Sequence, residues 1–339
     1  MRLEKVILQG NKFVTITAYL LDNPSQYPNI TQRPAVVIYP GVMTGNGKVL
    51  TSQREAECIA MAYLAEGYQA FLLEYTMPYR PQFPAVERDV QEIMDTIYEN
   101  RKRWEVDTEH LAAVAFSEGA YAACIQAMTA KKHRPTALIL GYPQIVKKEE
   151  AASFCYPVLQ EIADKKTPPV FLFSTYEDEE RPASDCLRLL LSLDKKGVPF
   201  EIHLFQKGAH GLALGKALCS SGMDFYVDSN WAKWFELSIR WLEGIWGEVF
   251  SHDGNYYHAE EIGGYTADTY IRDLVKNPDC MEVVKRYLPE YKEETYVAEQ
   301  MDATIRMANV WVESPMSPAE LEKLNQELKK IPFRNGSGD

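Results

Sequence analysis

Ser117 is placed where a hydroxyl group could act as a nucleophile. The segment AFSEG (residues 115–119) joins the apolar run Leu111–Phe116 to a stretch of small residues. It matches the nucleophile-elbow pattern G-x-S-x-G except that alanine occupies the first glycine position. Because alanine adds only one methyl group, a tight turn from strand to helix remains feasible. The segment therefore predicts Ser117 as a nucleophile, the alternative being an incidental serine where a strand and a helix cross closely.

A serine hydroxyl is a weak nucleophile, so this hypothesis requires a base and a carboxylate that orients the base. After a nucleophile elbow, these partners follow along the chain in the order acid, then histidine. The apolar run Val170–Ser174 leads into the acidic loop TYEDEERP (residues 175–182). Asp178 is the preferred carboxylate and Glu177 its competitor, whereas the alternative for the whole loop is a solvated turn.

His210 is the histidine best placed to serve as the base. It follows the strand-like run Phe200–Phe205 and stands between Gly208 and Gly211, which leave its imidazole room to lean toward Ser117. The remaining histidines lie in charged segments, within a strand pattern or near the C-terminus. The pattern predicts His210 as general base and acid, and the alternative is a loop histidine without a role.

Two backbone N–H groups are expected to stabilise an oxyanion during the reaction. Glu118 supplies the first because it directly follows the serine at the start of a helix. The loop over residues 39–47 contains three glycines and would supply the second, from Val42. If this loop has no catalytic role, its glycines serve only to form a turn.

Two further side chains are expected to contact the substrate. Met43 is bulky and follows the proposed oxyanion donor, and the insertion Val146–Lys166 is short enough to form only a partial cap. Together they favour a small acyl group such as acetyl. Tyr142 comes directly after an expected strand, so it should line the site.

The elements that carry these residues alternate between apolar strands and helical stripes. Strands are predicted over Lys5–Leu8, Phe13–Leu21, Ala35–Tyr39, Tyr68–Tyr75, Leu111–Phe116, Ala137–Gly141, Val170–Ser174 and Phe200–Phe205. Helices are predicted over Ser52–Glu66 and Pro84–Trp104. This alternation is typical of the α/β class, with a mostly parallel sheet covered by helices on both faces. Catalytic loops should then meet at the C-terminal ends of the strands.

The strand pattern stops near residue 250, which predicts a catalytic domain over 1–250 and a helical extension over 251–339. Short helices are expected at Asp268–Val275 and Pro278–Tyr287. Ser317, followed by Pro318 and by Glu320, marks the start of a last helix. The tyrosines of the extension could pack against the core, stack on sugars or form a homo-oligomer contact.

Composition and charge exclude several classes of protein. With 46% hydrophobic and 25% charged residues, the chain can bury a core and is not disordered. A net charge of −12 disfavours nucleic acids and anionic membranes as partners. Polar and charged residues interrupt the N-terminal segment, so we expect no signal peptide and a cytoplasmic protein. The cysteines lack the spacing of a zinc site or a disulfide framework.

The motifs also occur in a familiar order. YPG, SQREAE, LAEGY, FLLEY, AFSEGA, LGYP, FSTYEDEERP and KGAHGLAL together resemble the α/β-hydrolase fold. More narrowly, they are similar to acetyl esterases and acetylxylan-esterase-like proteins, which are related to feruloyl esterases and prolyl-oligopeptidase-type hydrolases. The resemblance covers about residues 30–248.

This resemblance implies a Ser-His-Asp esterase in which Ser117 is the nucleophile and His210 the base. Asp178, four residues before Pro182, fits the family's acid loop, which decides against Glu177. The implied substrate is a small-molecule or oligosaccharide ester carrying a short acyl group, and no cofactor or metal is required. The alternatives are a peptidase of the prolyl-oligopeptidase type and a catalytically silent binding protein.

The sequence departs from the family pattern at two places. Ala115 replaces the first glycine of the elbow. The first loop of the family usually contains PGGG or HGGG, whereas here Val42 and Met43 stand at the later glycine positions. Neither departure removes a member of the triad.

Overall fold

The structure, a computed structural model, describes residues 1–22, 30, 32–45, 48–75, 85–146, 157–247 and 257–333, without the side chains of residues 43–50. The chain forms two compact units, one made of residues 1–22 and 31–249 and one that contains residues 250–339. The insertion Val146–Lys166 was expected to form a partial cap, and its residues 147–156 lie outside the described residues.

An eight-stranded sheet organises the first unit. The described strands are β1 (Arg2–Ile7), β2 (Val14–Leu20), β3 (Arg33–Tyr39), β4 (Val42–Gly45), β5 (Lys48–Thr51), β6 (Gln69–Tyr75), β7 (Val106–Phe116), β8 (Ala137–Gly141), β9 (Val170–Thr175) and β10 (Phe200–Phe205). Their order in the main sheet is β1-β2-β6-β3-β7-β8-β9-β10, and β4 pairs with β5 in a separate hairpin. Strand β2 is antiparallel to both neighbours, and the other pairs of the main sheet are parallel. The prediction of a mostly parallel sheet is confirmed.

Helices cover both faces of this sheet because its central strands bury apolar residues on each side. On β3, Ala35, Val37 and Tyr39 join one apolar cluster, whereas Val36 and Ile38 join another. The helices of this unit are α1 (Glu57–Ala65), α2 (Ala85–Asn100), α3 (Gly119–Thr129), α4 (Leu159–Ile162), α5 (Ala183–Lys195) and α6 (Lys233–Trp246). Helices α2, α3 and α5 pack in the first cluster, and α1 and α6 pack in the second.

The strand register brings the predicted site residues to one edge of the sheet. Tyr39 pairs with Ala115, and Phe116 pairs with Gly141. On the far side, Thr175 of β9 pairs with Phe205 of β10. The loops that follow β3, β7, β8, β9 and β10 therefore leave the sheet side by side, as expected for the C-terminal ends of parallel strands.

The elements differ from the sequence prediction in the segment after β3. Val42–Gly45 pairs with Lys48–Thr51 in the antiparallel β4–β5 ladder, although the glycines and polar residues of this segment predicted only a loop. The helix expected from Ser52 begins at Glu57, because Gln53–Glu55 form a separate 3₁₀ turn. Both differences concern residues that line the cavity at Ser117, because Val42 lies in β4 and Glu55 lies in the 3₁₀ turn.

The second unit is helical and has its own apolar core. Its described helices are α7 (Ala259–Ile262), α8 (Ile271–Leu274), α9 (Pro278–Tyr287), α10 (Glu294–Glu299), α11 (Ile305–Ala308) and α12 (Pro318–Leu328). The predicted helix Pro278–Tyr287 is confirmed at both ends, and α12 begins with the expected capping box between Ser317 and Glu320. Tyr265 and Tyr291 are buried in the apolar core of this unit itself.

Candidate active site

The turn between β7 and α3 holds Ser117 in a conformation that few residues adopt. Ser117 has φ +49°, in the left-handed region that favours glycine. Its N–H donates to the carbonyl of Gly141 at 3.1 Å, which helps to hold this backbone in place. A Cβ atom on Gly119 would lie 2.2 Å from the carbonyl oxygen of Tyr39, so only glycine fits there. Ala115 is fully buried in β7, and its methyl group is accommodated at the first elbow position.

The side chain of Ser117 lies within hydrogen-bond distance of the predicted base. Ser117 Oγ is 2.9 Å from His210 Nε2, and His210 Nδ1 is 2.8 Å from Asp178 Oδ2. His210 is on the loop after β10, where Gly208 and Gly211 have φ values of +132° and +82°. These two glycines allow the sharp turns that direct the imidazole toward the end of β7.

Asp178, rather than Glu177, contacts the histidine. The Asp178 carboxylate is buried, and its second oxygen accepts the N–H groups of Glu180 at 2.9 Å and Arg181 at 2.8 Å. These backbone bonds fix the carboxylate while its other oxygen faces the imidazole. Glu177 is exposed, and its carboxylate accepts the N–H of Gly208 at 3.4 Å.

The hairpin brings Val42 into the lining of the cavity at Ser117, and the strand register indicates which way its N–H points. Ser52 N–H donates to the carbonyl of Gly41, so Gly41 faces Ser52 in the β4–β5 ladder. In an antiparallel ladder the next residue directs its N–H to the other side, away from the partner strand. Glu118 N–H, at the start of α3, has no protein acceptor among the described residues. Val42 and Glu118 line the same cavity as Ser117.

That cavity has a volume of about 340 Å³ and includes charged side chains that were not singled out as site residues in the sequence. Its described lining consists of Gly41, Val42, Ser52, Arg54, Glu55, Ser117, Glu118, Glu180, Arg181, His210, Gly211 and Tyr226. The Arg54 guanidinium stacks on the Tyr226 ring, 3.6 Å from its centroid, and donates to the carbonyl of Gly211 at 3.1 Å. Arg54 therefore braces the loop that carries the histidine.

Tyr142 occupies a different position from the substrate contact that was expected. It is 1% exposed and lies outside the cavity lining, with its ring edge-on to the His210 ring at a centroid distance of 4.8 Å. Its hydroxyl donates to Glu55 at 2.6 Å and accepts the N–H of Ala213 at 3.2 Å. Tyr142 thus lies behind the histidine with no free hydroxyl to offer a substrate. The side chain of Met43, the other expected contact, lies outside the described residues.

Glu55 is the functional candidate that the sequence analysis missed. Burial raises the pKa of its carboxyl group, although hydrogen bonds from Tyr142 and Gly41 and the nearby His210 and Arg54 act in the opposite direction. Burial likewise raises the pKa of the Tyr142 hydroxyl well above its usual value, and the charge of Glu55 adds to this shift. The available signal in the sequence was an acidic residue at a position where an apolar helix face was expected.

Neither a membrane-spanning helix nor a metal-binding cluster occurs among the described residues. No helix among the described residues is long and apolar enough to cross a bilayer. In the same residues, no group of three or more histidine, cysteine or acidic side chains is arranged to hold a metal ion.

Comparison with known proteins gives consistent matches. The BD-FAE family model matches residues 25–142. The chain is 26% identical over 211 residues to endo-1,4-beta-xylanase B of Butyrivibrio fibrisolvens, a match that covers 53% of this chain and 33% of that protein. The chain therefore spans about a third of the length of the curated relative it matches.

Two solved structures are matched over almost their whole length. The carboxylesterase Cest-2923 of Lactobacillus plantarum WCFS1 is 25% identical, with a TM-score of 0.63, over 72% of this chain and 98% of that chain. MGS-M1, an alpha/beta hydrolase enzyme from a Medee basin deep-sea metagenome library, is 35% identical with a TM-score of 0.65 over the same shares of the two chains. The elbow, the sheet order and this similarity together show that the chain belongs to the α/β-hydrolase family of enzymes.

Proposed function

We propose that this protein is a serine carboxylesterase with Ser117 as nucleophile, His210 as general base and acid, and Asp178 as the carboxylate that orients the histidine. The observation that carries the proposal is the continuous contact from Ser117 Oγ through the imidazole to Asp178, at 2.9 and 2.8 Å. The similarity to a carboxylesterase supports the same chemistry. This geometry is what acyl transfer by a serine requires.

In the first half of the reaction, Ser117 Oγ attacks the ester carbonyl and His210 Nε2 accepts the hydroxyl proton. The Nδ1–H of His210 donates to Asp178, which stabilises the imidazolium. The N–H groups of Val42 and Glu118 hold the oxyanion. When the tetrahedral intermediate collapses, the carbon–oxygen bond to the alcohol breaks and His210 returns the proton to the leaving alcohol. Water then attacks the acyl-enzyme by the same route and releases the acid.

The acyl group is proposed to be short, with acetyl the first candidate. The cavity at Ser117 has a volume of about 340 Å³, at the lower end of ligand pockets, which favours a small acyl group. The alcohol half is proposed to be a sugar or an oligosaccharide. The match to a protein named endo-1,4-beta-xylanase B supports xylo-oligosaccharides as the first alcohols to test.

The test is hydrolysis of p-nitrophenyl acetate, butyrate and octanoate by the wild type and by Ser117→Ala, followed by acetate release from acetylated xylo-oligosaccharides. We expect the acetate ester to be the best aryl substrate and Ser117→Ala to abolish turnover. A preference for octanoate contradicts the short-acyl proposal. A folded wild type that hydrolyses no ester contradicts the esterase proposal and favours a silent binding protein.

A further inference from the structure

A buried carboxyl group outside the triad lies between the two loops that flank Ser117. Glu55 belongs to the 3₁₀ turn before α1 and is 2% exposed. Its Oε2 accepts the N–H of Gly41 at 2.7 Å, and its Oε1 accepts the hydroxyl of Tyr142 at 2.6 Å. Both oxygens therefore act as acceptors, as in an ionised carboxylate.

Tyr142 continues this connection to the histidine loop. Its hydroxyl oxygen accepts the N–H of Ala213, three residues after His210, at 3.2 Å. The carbonyl of Ala213 in turn accepts the indole N–H groups of Trp231 at 2.7 Å and Trp234 at 2.8 Å. A chain of hydrogen bonds thus runs from the oxyanion loop to the loop of the catalytic base.

Two residues in this series of hydrogen bonds have strained backbone conformations, and the hydrogen bonds help to stabilise those conformations. Tyr142 has φ +34° and Ala213 has φ +49°, both in the region that non-glycine residues rarely adopt. The hydrogen bond between these two residues joins the strained positions directly. Glu55 anchors Tyr142 from the other side.

Gly41 explains why the carboxylate matters for the oxyanion hole. A Cβ atom on Gly41 would lie 3.1 Å from Ser117 Cβ, so this backbone is in close approach to the nucleophile. Because Glu55 accepts the Gly41 N–H, that group is already hydrogen-bonded and is not free to hold an oxyanion. Val42, the next residue, lines the cavity, and its N–H is the oxyanion donor that the proposed function assigns.

We propose that Glu55 is a positioning residue that fixes the oxyanion loop through Gly41 and the histidine loop through Tyr142. The proposal rests on the esterase function proposed above. Glu55 does not touch the reacting atoms, so its removal should lower kcat by misplacing two groups that act in the transition state. Substrate binding, measured as KM for a small ester, should change little.

A glutamine at position 55 keeps the shape of the side chain but cannot make the same bonds. It has one acceptor oxygen, whereas Gly41 and Tyr142 both donate to Glu55. If the amide NH₂ faces Tyr142, it meets an oxygen that already accepts the N–H of Ala213, and the tyrosine hydroxyl loses its acceptor. Glu55→Gln therefore breaks the chain without creating a cavity.

The experiment compares Glu55→Gln, Tyr142→Phe and the double variant with the wild type on p-nitrophenyl acetate. Rates are divided by the number of active sites that a fluorophosphonate labels, so that a misfolded fraction does not lower the apparent kcat. Tyr63→Phe is the matched control, because it also removes a buried tyrosine hydroxyl, one that contacts Ser238 at 3.3 Å in a different part of the unit.

We expect Glu55→Gln to lower kcat by about 10²-fold, since a small misplacement of catalytic groups has an effect of that size. Tyr142→Phe should lower kcat by about 10-fold, and the double variant should be no slower than Glu55→Gln, because both changes interrupt one chain. KM should stay within about threefold in all variants, and Tyr63→Phe should retain the wild-type kcat.

Two results would overturn the proposal: a kcat within twofold of the wild type for either folded single variant, or effects that multiply in the double variant. If Glu55→Gln does not fold, Tyr142→Phe alone decides, since it keeps the buried ring. A loss of activity in Ser117→Ala combined with no effect of these variants rejects the positioning role and leaves the esterase standing. Full activity in Ser117→Ala rejects both.

Discussion

The loops on the two sides of Ser117 are held in different ways. In the loop of the proposed acid, Asp178 is fixed by backbone N–H groups of its own loop, only two and three residues further along the chain. On the oxyanion side, Gly41 is fixed by the side chain of Glu55, which comes from a separate turn and is buried. The first arrangement is local, whereas the second depends on a long-range contact made by a single carboxylate. Substitutions should therefore act differently on the two sides.

The largest effect is expected on the local side, from Asp178→Asn. The asparagine cannot stabilise the imidazolium or fix the tautomer in the same way, so kcat should fall by about 10⁴-fold with the fold intact. Steady-state kinetics on p-nitrophenyl acetate measure this loss. Glu177→Gln is the matched control in the same loop, and a larger loss for Glu177→Gln than for Asp178→Asn would show that the carboxylates are wrongly assigned.

On the oxyanion side, Val42→Pro removes the proposed N–H donor and keeps a residue of similar size. The loss of one oxyanion donor lowers kcat by roughly 10² to 10³-fold. Val42→Ala keeps the N–H and serves as the control, for which we expect a change below about threefold. Equal losses in the two variants, with unchanged thermal unfolding, would mean that the side chain rather than the N–H matters.

A smaller effect is expected from Gly41→Ala, because the added methyl group crowds Glu55 and Ser117. The new methyl group would lie 2.8 Å from Glu55 Oε2 and 3.1 Å from Ser117 Cβ, so the loop must shift. We expect kcat to fall by about 10-fold. Gly244→Ala in α6 is the control, because no atom lies within 4 Å of its added Cβ, and it should keep full activity and gain at most about 1 kcal/mol of stability. Full activity in Gly41→Ala would show that this loop tolerates displacement.

The smallest effect concerns the free energy of unfolding as a function of pH. Burial raises the pKa of Glu55 in the folded state, so the folded protein binds a proton more tightly there than the unfolded chain. The stability that this provides is present at pH values below the usual pKa of a glutamate and is lost as pH rises through the raised pKa. Urea unfolding at pH 5 and pH 7.5 should therefore show the wild type losing stability relative to Glu55→Gln. A difference that does not change with pH would contradict the pKa shift.

The same contrast explains what could be predicted from the sequence. Ser117, Asp178 and His210 each follow an apolar strand and stand in a short pattern with glycines or acids nearby, and the structure brings these three together. Parallel strands end at one edge, so the position of each residue at a strand end was sufficient to predict their proximity.

The roles of the other site residues depend on contacts between segments, which a short sequence pattern does not reveal. Glu55 lies in a turn that resembled part of a helix, and only the packing of that turn against Gly41 and Tyr142 shows its role. Tyr142 was expected to face the substrate because it follows a strand, but its ring is buried and its hydroxyl donates to Glu55. The β4–β5 hairpin was predicted as a loop because the glycines and polar residues of this segment interrupt any strand pattern.

The central claim is that Ser117 is an activated nucleophile, and intact mass measurement after treatment with a fluorophosphonate tests it most directly. The account predicts one adduct per chain in the wild type, located at Ser117 by peptide mapping, and none in Ser117→Ala. His210→Ala should label far more slowly, because the serine then lacks its base. Absence of an adduct on the folded wild type, or an adduct at another residue that persists in Ser117→Ala, would contradict it.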